Sequence, residues 1–137
     1  MDERLSLTLR STLTEIERLS REFGRFADQH GLASQVRFCV NLALEEIVTN
    51  AIQHGSKGRD DRLITVEVAV GPTELTARVE DDAPPFDPLQ LPPPDVTAPL
   101  DQRQPGGLGI HLSRKLLDGL HYSRVDGKNR LELRKRL

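Results

Sequence analysis

The chain has a single cysteine, no bias of charge and no long apolar run, and each of these absences closes off a class of protein. Cys39 is the only thiol. Alone it cannot form an intramolecular disulfide, so a stapled secreted scaffold is excluded and a reducing, cytoplasmic setting is expected. Lys and Arg number 19 against 21 Asp and Glu, a formal net charge of −2. That leaves no global basic footprint and argues against nucleic acid or an anionic membrane as a direct partner. No apolar run approaches the roughly 20 residues needed to cross a bilayer, and no basic-then-apolar leader opens the chain. The 137 residues suit a single domain spanning 1–137, able to bury about two thirds of its extended-chain surface.

What is present is a readable order of elements. Leu5, Leu7 and Leu9 alternate with Ser6 and Thr8, which predicts a first strand with one buried face. Leu13, Ile16, Leu19, Phe23 and Phe26 recur at helical spacing behind Thr12 or Thr14 as a cap, and Gly31 ends that helix. Ser34 is the expected cap of a second helix running to about His54. It is apolar nearly all round, from Phe38 and Cys39 through Leu44 to Ile52, and is therefore expected to be buried. Leu63 to Val70 and Leu75 to Asp81 read as paired strands around the turn Gly71-Pro72-Thr73-Glu74. Eight of the nine prolines lie between residues 82 and 107, so this segment is expected to be a long functional loop rather than a regular element. A helix carrying Ile110, Leu112, Leu116 and Leu117 follows. The last two strands, His121 to Val125 and Arg130 to Leu133, flank the hairpin turn Asp126-Gly127-Lys128-Asn129. Adjacent strands rule out repeated parallel crossovers. The expected class is α+β, a two-layer sandwich whose mostly antiparallel, mixed sheet is covered on one face by helices.

Three segments carry chemistry. Glu46, Asn50 and His54 are spaced by four within the apolar second helix, so Glu46 and Asn50 lie one turn apart, roughly 6 Å along the axis, and can reach one ligand. A polar stripe on a buried helix needs partners, from neighbouring protein groups or from a ligand. Glu45 points about 100° away and reads as solvated or salt-bridged rather than catalytic. Second, the run from Val79 through Asp81, Ala83 and Phe86 to Pro88 delivers acidic residues into a stiff turn. Asp81 there can accept from an exocyclic amine such as that of adenine, or simply close an Asp turn on backbone amides. Third, Gly106-Gly107-Leu108-Gly109 leads into a helix, where bare amides and the helix dipole favour a phosphate. It is not a Walker loop, because the terminal Gly-Lys-Ser/Thr is missing.

Taken together, Glu45-Glu46-Ile47-Val48-Thr49-Asn50-Ala51-Ile52-Gln53-His54-Gly55, Asp81 to Pro88 and Gly106 to Leu112 resemble the N-box and the two glycine boxes of the histidine-kinase-like (GHKL) ATPase superfamily, the Bergerat ATP-binding fold. The similarity is strongest to the anti-sigma-factor serine kinases of partner-switching circuits, and it extends over nearly the whole chain. The resemblance implies ATP and Mg²⁺ as cofactors, Asn50 as the metal ligand and Glu46 as the catalytic base taking a proton from a serine hydroxyl. It implies a nucleotide site built from Asn50, His54, Asp81, Ala83, Phe86, Gly106, Gly107, Leu108 and Gly109, closed by a Pro-rich lid at about 82–107. For His54 a cap on the helix C-terminus is the competing reading. It further implies a STAS-type anti-sigma-factor antagonist and a sigma factor as partners, and a homodimer. The alternative function is a non-catalytic switch in which nucleotide only orders the lid. Two positions depart from the family pattern. Ala83 stands where Asp-x-Gly is usual, and Glu132 aligns where the last strand usually carries Thr or Ser near the adenine.

Overall fold

The computed structural model describes residues 4–57, 59–91 and 108–137. Its elements follow in the order β1 (Arg4–Arg10), α1 (Glu15–Gln29), α2 (Ser34–Asn50), β2 (Leu63–Val70), β3 (Glu74–Asp81), α3 (Leu108–Leu116), β4 (Gly119–Val125) and β5 (Lys128–Arg136). The expected α+β sandwich is what forms. The five strands lie in the order β1-β2-β3-β5-β4, and every described pairing is antiparallel.

Period-two patterning decides which face of the sheet is covered. Leu7 and Leu9 of β1, Ile64, Val66 and Val68 of β2, Leu75, Ala77 and Val79 of β3, and Leu131 and Leu133 of β5 are all buried. They form one core with Leu19, Phe23 and Phe26 of α1 and Val40, Leu44 and Val48 of α2. Helices α1 and α2 pack on this covered face, and α3 packs on α2. The intervening side chains point to the other, open face. Arg78 pairs there with Glu67 at 2.8 Å and with Glu80 at 3.1 Å.

Several local expectations are corrected. Phe38 is 63% exposed, so α2 is not buried all round; its first turns show Ser34, Gln35, Arg37 and Phe38 to solvent. Ser34 is the first helical residue rather than the cap, Ala33 precedes it in extended backbone, and no side chain caps the helix. Thr14 occupies the cap position of α1 without a capping bond, while Thr12 Oγ1 accepts from the Thr14 amide at 3.3 Å. The last turn is tighter than expected. Asp126 and Gly127 both have positive φ, 52° and 75°, the signature of a two-residue hairpin turn, so Lys128 and Asn129 belong to β5.

Candidate nucleotide site

The polar residues of α2 emerge where the helix changes its pitch. Beyond Asn50 the backbone widens into a π-helical turn, Ala51–Gly55, closed by the Ser56 amide donating to the Ala51 carbonyl at 2.8 Å. Such turns are rare, and they shift the direction of every following side chain relative to an ideal helix. His54 therefore leaves the straight stripe expected from i, i+4 spacing. Its ring stacks on Phe86, with centroids 5.2 Å apart and planes inclined by 14°. It makes no hydrogen bond with any described residue, though it stands in the last turn before the helix end.

Asn50 is only 2% exposed, and its Nδ2 has no hydrogen-bond partner among the described residues. A buried amide left unsatisfied costs about 1–3 kcal/mol, so a native structure that keeps one calls for an explanation, and a bound water, ion or ligand supplies one. A carboxamide can present either its oxygen to a cation or its N–H to a phosphate oxygen. The donor set thus fits Mg²⁺, which takes oxygen ligands and needs few from protein. Among the described residues no cluster of three or more His, Cys, Asp or Glu side chains converges as a ready-made metal site. Ser56 Oγ, 2% exposed at the far end of the same π turn, is likewise unpartnered.

Glu46, one turn before Asn50, is half-buried. Burial pushes its carboxyl above the ordinary glutamate value, and the neighbouring Glu45 charge pushes in the same direction. The start of α3 lies directly against it. A Cβ built on Gly109 would overlap the Glu46 carboxyl group, so only glycine lets α3 approach this closely. Ser113, fully buried, donates to the Gly109 carbonyl at 2.7 Å and ties that first turn together. Gly106 and Gly107 lie outside the described residues, as does the expected lid from residue 92 to 107. Leu108 begins α3.

The third cluster closes the end of the sheet. Asp81 and Asn129 stand directly opposite each other on β3 and β5, both inward and both buried. Asp81 Oδ1 accepts from the Ala83 amide at 2.9 Å and from Asn129 Nδ2 at 3.0 Å. Ala83 is fully buried, and its side chain packs on the Gly55 turn. Its methyl is accommodated without displacing Asp81. A cavity of about 20 Å³ lies among Ile47, Ala51, Val79, Asp81, Phe86, Pro88, Asn129 and Leu131. It has room for about one water and, as it stands, not for a purine. The pocket is thus apolar with one carboxylate, the composition suited to a heteroaromatic ring with a single donor. A wider concavity of about 610 Å³ opens on the other face of the sheet, among Arg4, Arg78, His121 and Arg134, but its charged side chains face solvent and none is an unpartnered buried group.

Glu132, aligned by sequence with the adenine-proximal position, is exposed on that open face, opposite Arg78 and His121. It cannot reach the covered pocket, and the inward residue nearest Asp81 is Asn129. Asn129 and Tyr122, whose hydroxyl donates to Asn129 Oδ1 at 2.6 Å, were not read as site residues from the sequence. The one signal available was Asp126-Gly127, which fits a two-residue turn and would have moved Asn129 into the strand.

Residues 9–135 match the family described as the histidine kinase-like ATPase domain. The chain belongs to that family. It is 30% identical over 101 residues to the serine/threonine-protein kinase BtrW of Bordetella bronchiseptica, covering 74% of this chain and 71% of that protein. It is 33% identical over 98 residues to the serine-protein kinase RsbW of Listeria monocytogenes, covering 64% and 62% respectively. An anti-sigma F factor of Clostridium botulinum is 31% identical over 85 residues, 59% of this chain and 57% of that one. The chain therefore spans under two thirds of the Listeria and Clostridium relatives. In fold it is similar to the crystal structure of the RsbU and RsbW domains of Rv1364c from Mycobacterium tuberculosis, with a TM-score of 0.72 at 18% identity, over 99% of this chain and 32% of that one. No described helix is long and apolar enough to cross a membrane.

Proposed function

We propose that this protein is an ATP-dependent protein-serine kinase that acts on a small STAS-type antagonist and restrains a sigma factor in a partner-switching circuit. The observation that carries the reading is the pairing, one helical turn apart, of Asn50 with an unpartnered buried amide and Glu46 with a carboxyl raised by burial. The names of the relatives, kinases and an anti-sigma factor, point the same way.

Each residue has a separable task. Asp81 accepts the exocyclic amine of adenine, and Phe86 with the apolar walls around it covers the ring. Asn50 turns its carboxamide oxygen toward Mg²⁺, whose contribution when bound is to neutralise charge on the phosphate oxygens. Glu46, a stronger base than an exposed glutamate because burial disfavours its charge, takes the proton of the incoming serine hydroxyl. Gly109 lets α3 lie close to that carboxylate, and the helix start supplies positive partial charge toward the phosphates. His54 holds Phe86 through the ring stack. It acts on the mouth of the base pocket rather than on the phosphates.

The test is transfer of label from γ-labelled ATP to a STAS-type protein encoded beside this one, for wild type and Glu46→Gln. The reading expects transfer by wild type and its loss in the variant with ATP still bound. Transfer undiminished in Glu46→Gln removes the assigned base, and ATP binding without transfer to any candidate favours a non-catalytic switch.

A further inference from the structure

We propose that Asn129 is a positioning residue that fixes the Asp81 carboxylate and thereby makes the base pocket choose amino-purines over oxo-purines. The inference rests on the nucleotide-binding reading above. It goes beyond it by assigning specificity to a residue on a different strand.

The geometry is that of a saturated carboxamide. Asn129 is 5% exposed. Its Nδ2 donates to Asp81 Oδ1 at 3.0 Å, to the Pro84 carbonyl at 3.1 Å and to the Ala83 carbonyl at 3.2 Å. Its Oδ1 accepts from the Phe86 amide at 3.1 Å and from the Tyr122 hydroxyl at 2.6 Å. Nδ2 cannot exchange places with Oδ1, because all three of its neighbours are acceptors and both neighbours of Oδ1 are donors. The orientation of the amide is thus dictated by its surroundings.

That orientation partitions Asp81. With Oδ1 held by the Ala83 amide and by Asn129, the other carboxylate oxygen accepts no hydrogen bond from any described residue and remains for a ligand. An ionised carboxylate is acceptor-only. It pairs with the exocyclic amine of adenine and repels the carbonyl that hypoxanthine or guanine carries at the same position. A site built around one buried polar group discriminates strongly, because the wrong partner leaves that group unpaired. Were Asp81 free to rotate or to hold a proton, it could donate as well as accept, and the discrimination would go.

Asn129→Asp tests this directly, since the variant keeps the shape and the acceptor side toward Phe86 and Tyr122 while losing the donor to Asp81. Two adjacent carboxylates share a proton, which supplies Asp81 with a donor. Binding of ATP and of inosine triphosphate by calorimetry is compared across wild type, Asn129→Asp and Tyr122→Phe, with thermal midpoints measured alongside. The expected result is that wild type prefers ATP, that Asn129→Asp lowers the preference by about tenfold or more, the scale of one charge-assisted hydrogen bond, and that Tyr122→Phe leaves it within about twofold even if its thermal midpoint falls. If Asn129→Asp does not fold, Asn129→Ser, too short to reach Asp81, is expected to show the same loss of preference. An unchanged ratio in a folded Asn129 variant overturns the proposal while leaving the nucleotide site intact. A wild type that binds neither nucleotide, or both equally, overturns it together with the reading of the site.

Discussion

The two faces of the sheet use their polar side chains in opposite ways. On the open face Arg78 bridges Glu67 and Glu80, Arg130 lies 3.6 Å from Glu80, and Arg134 lies 3.5 Å from Glu74. The more exposed of these, Arg78 with Glu67 and Arg134 with Glu74, contribute about 0–1 kcal/mol each, because water competes for both partners. On the covered face Asn50, Asp81 and Asn129 are buried, and among the described residues each is either multiply hydrogen-bonded or unpartnered. There the loss of a single partner is expensive. The difference teaches where function resides. Polar groups that could have been solvated cheaply on the open face are instead held in a low-dielectric setting at the mouth of the core, next to a π turn that costs regular helix geometry.

Substitutions should separate the two faces sharply. The largest effect is expected from Glu46→Gln, which should lower phosphotransfer by about 10²–10⁴-fold, the usual contribution of a general base. The same change should raise the thermal midpoint by about 2 °C at neutral pH. The sign follows from linkage: the folded-state value of Glu46 is raised, so its proton stabilises the fold at low pH, and that contribution is lost as pH rises through the raised value. A neutral amide escapes the penalty. A midpoint that falls in scanning calorimetry would break the assignment of a strained, desolvated carboxylate.

Gly109→Ala comes next. The added methyl occupies the space of the Glu46 carboxyl, so α3 must retreat, with a stability loss of about 1–3 kcal/mol in denaturant unfolding and reduced transfer. A smaller effect is expected from Glu45→Gln. Removing its charge relieves one of the two influences that raise Glu46, so the acid limb of the transfer rate against pH should move to lower pH, and it should lie above the ordinary glutamate range in wild type. The smallest belongs to the open face. Glu132→Thr should change neither ATP affinity nor stability beyond about 0.5 kcal/mol, and a marked gain in affinity would place that strand position in the site after all.

How far these features were legible in the sequence depends on their range. The strands of the sheet were readable because period-two alternation is local: Leu63 to Val70 forms the expected β2 without adjustment. The polar helix stripe was readable as far as Asn50. The π turn after it was not, because nothing in the local pattern of Ala51-Ile52-Gln53-His54-Gly55 distinguishes i→i+5 from i→i+4 bonding. Asn129 was hidden for a different reason. Read as part of a four-residue turn, Asp126 to Asn129, it had no place in a strand, and alignment with the family pattern put Glu132 near the pocket; alternation along β5 turns Asn129, Leu131 and Leu133 inward and Glu132 outward. The exposure of Phe38 was equally out of reach, since an apolar residue at helical spacing says nothing of whether a neighbour is present to cover it.

The measurement that bears most directly on the central claim is calorimetric titration of ATP into the folded protein, with and without Mg²⁺, for wild type and Asn50→Ala. Because the Asn50 amide nitrogen has no partner among the described residues, the variant should keep its thermal midpoint within a degree or two, while magnesium-dependent ATP binding, present in wild type, disappears. Equal ATP affinity in the two proteins, or the absence of binding by a folded wild type, would contradict the assignment of this site.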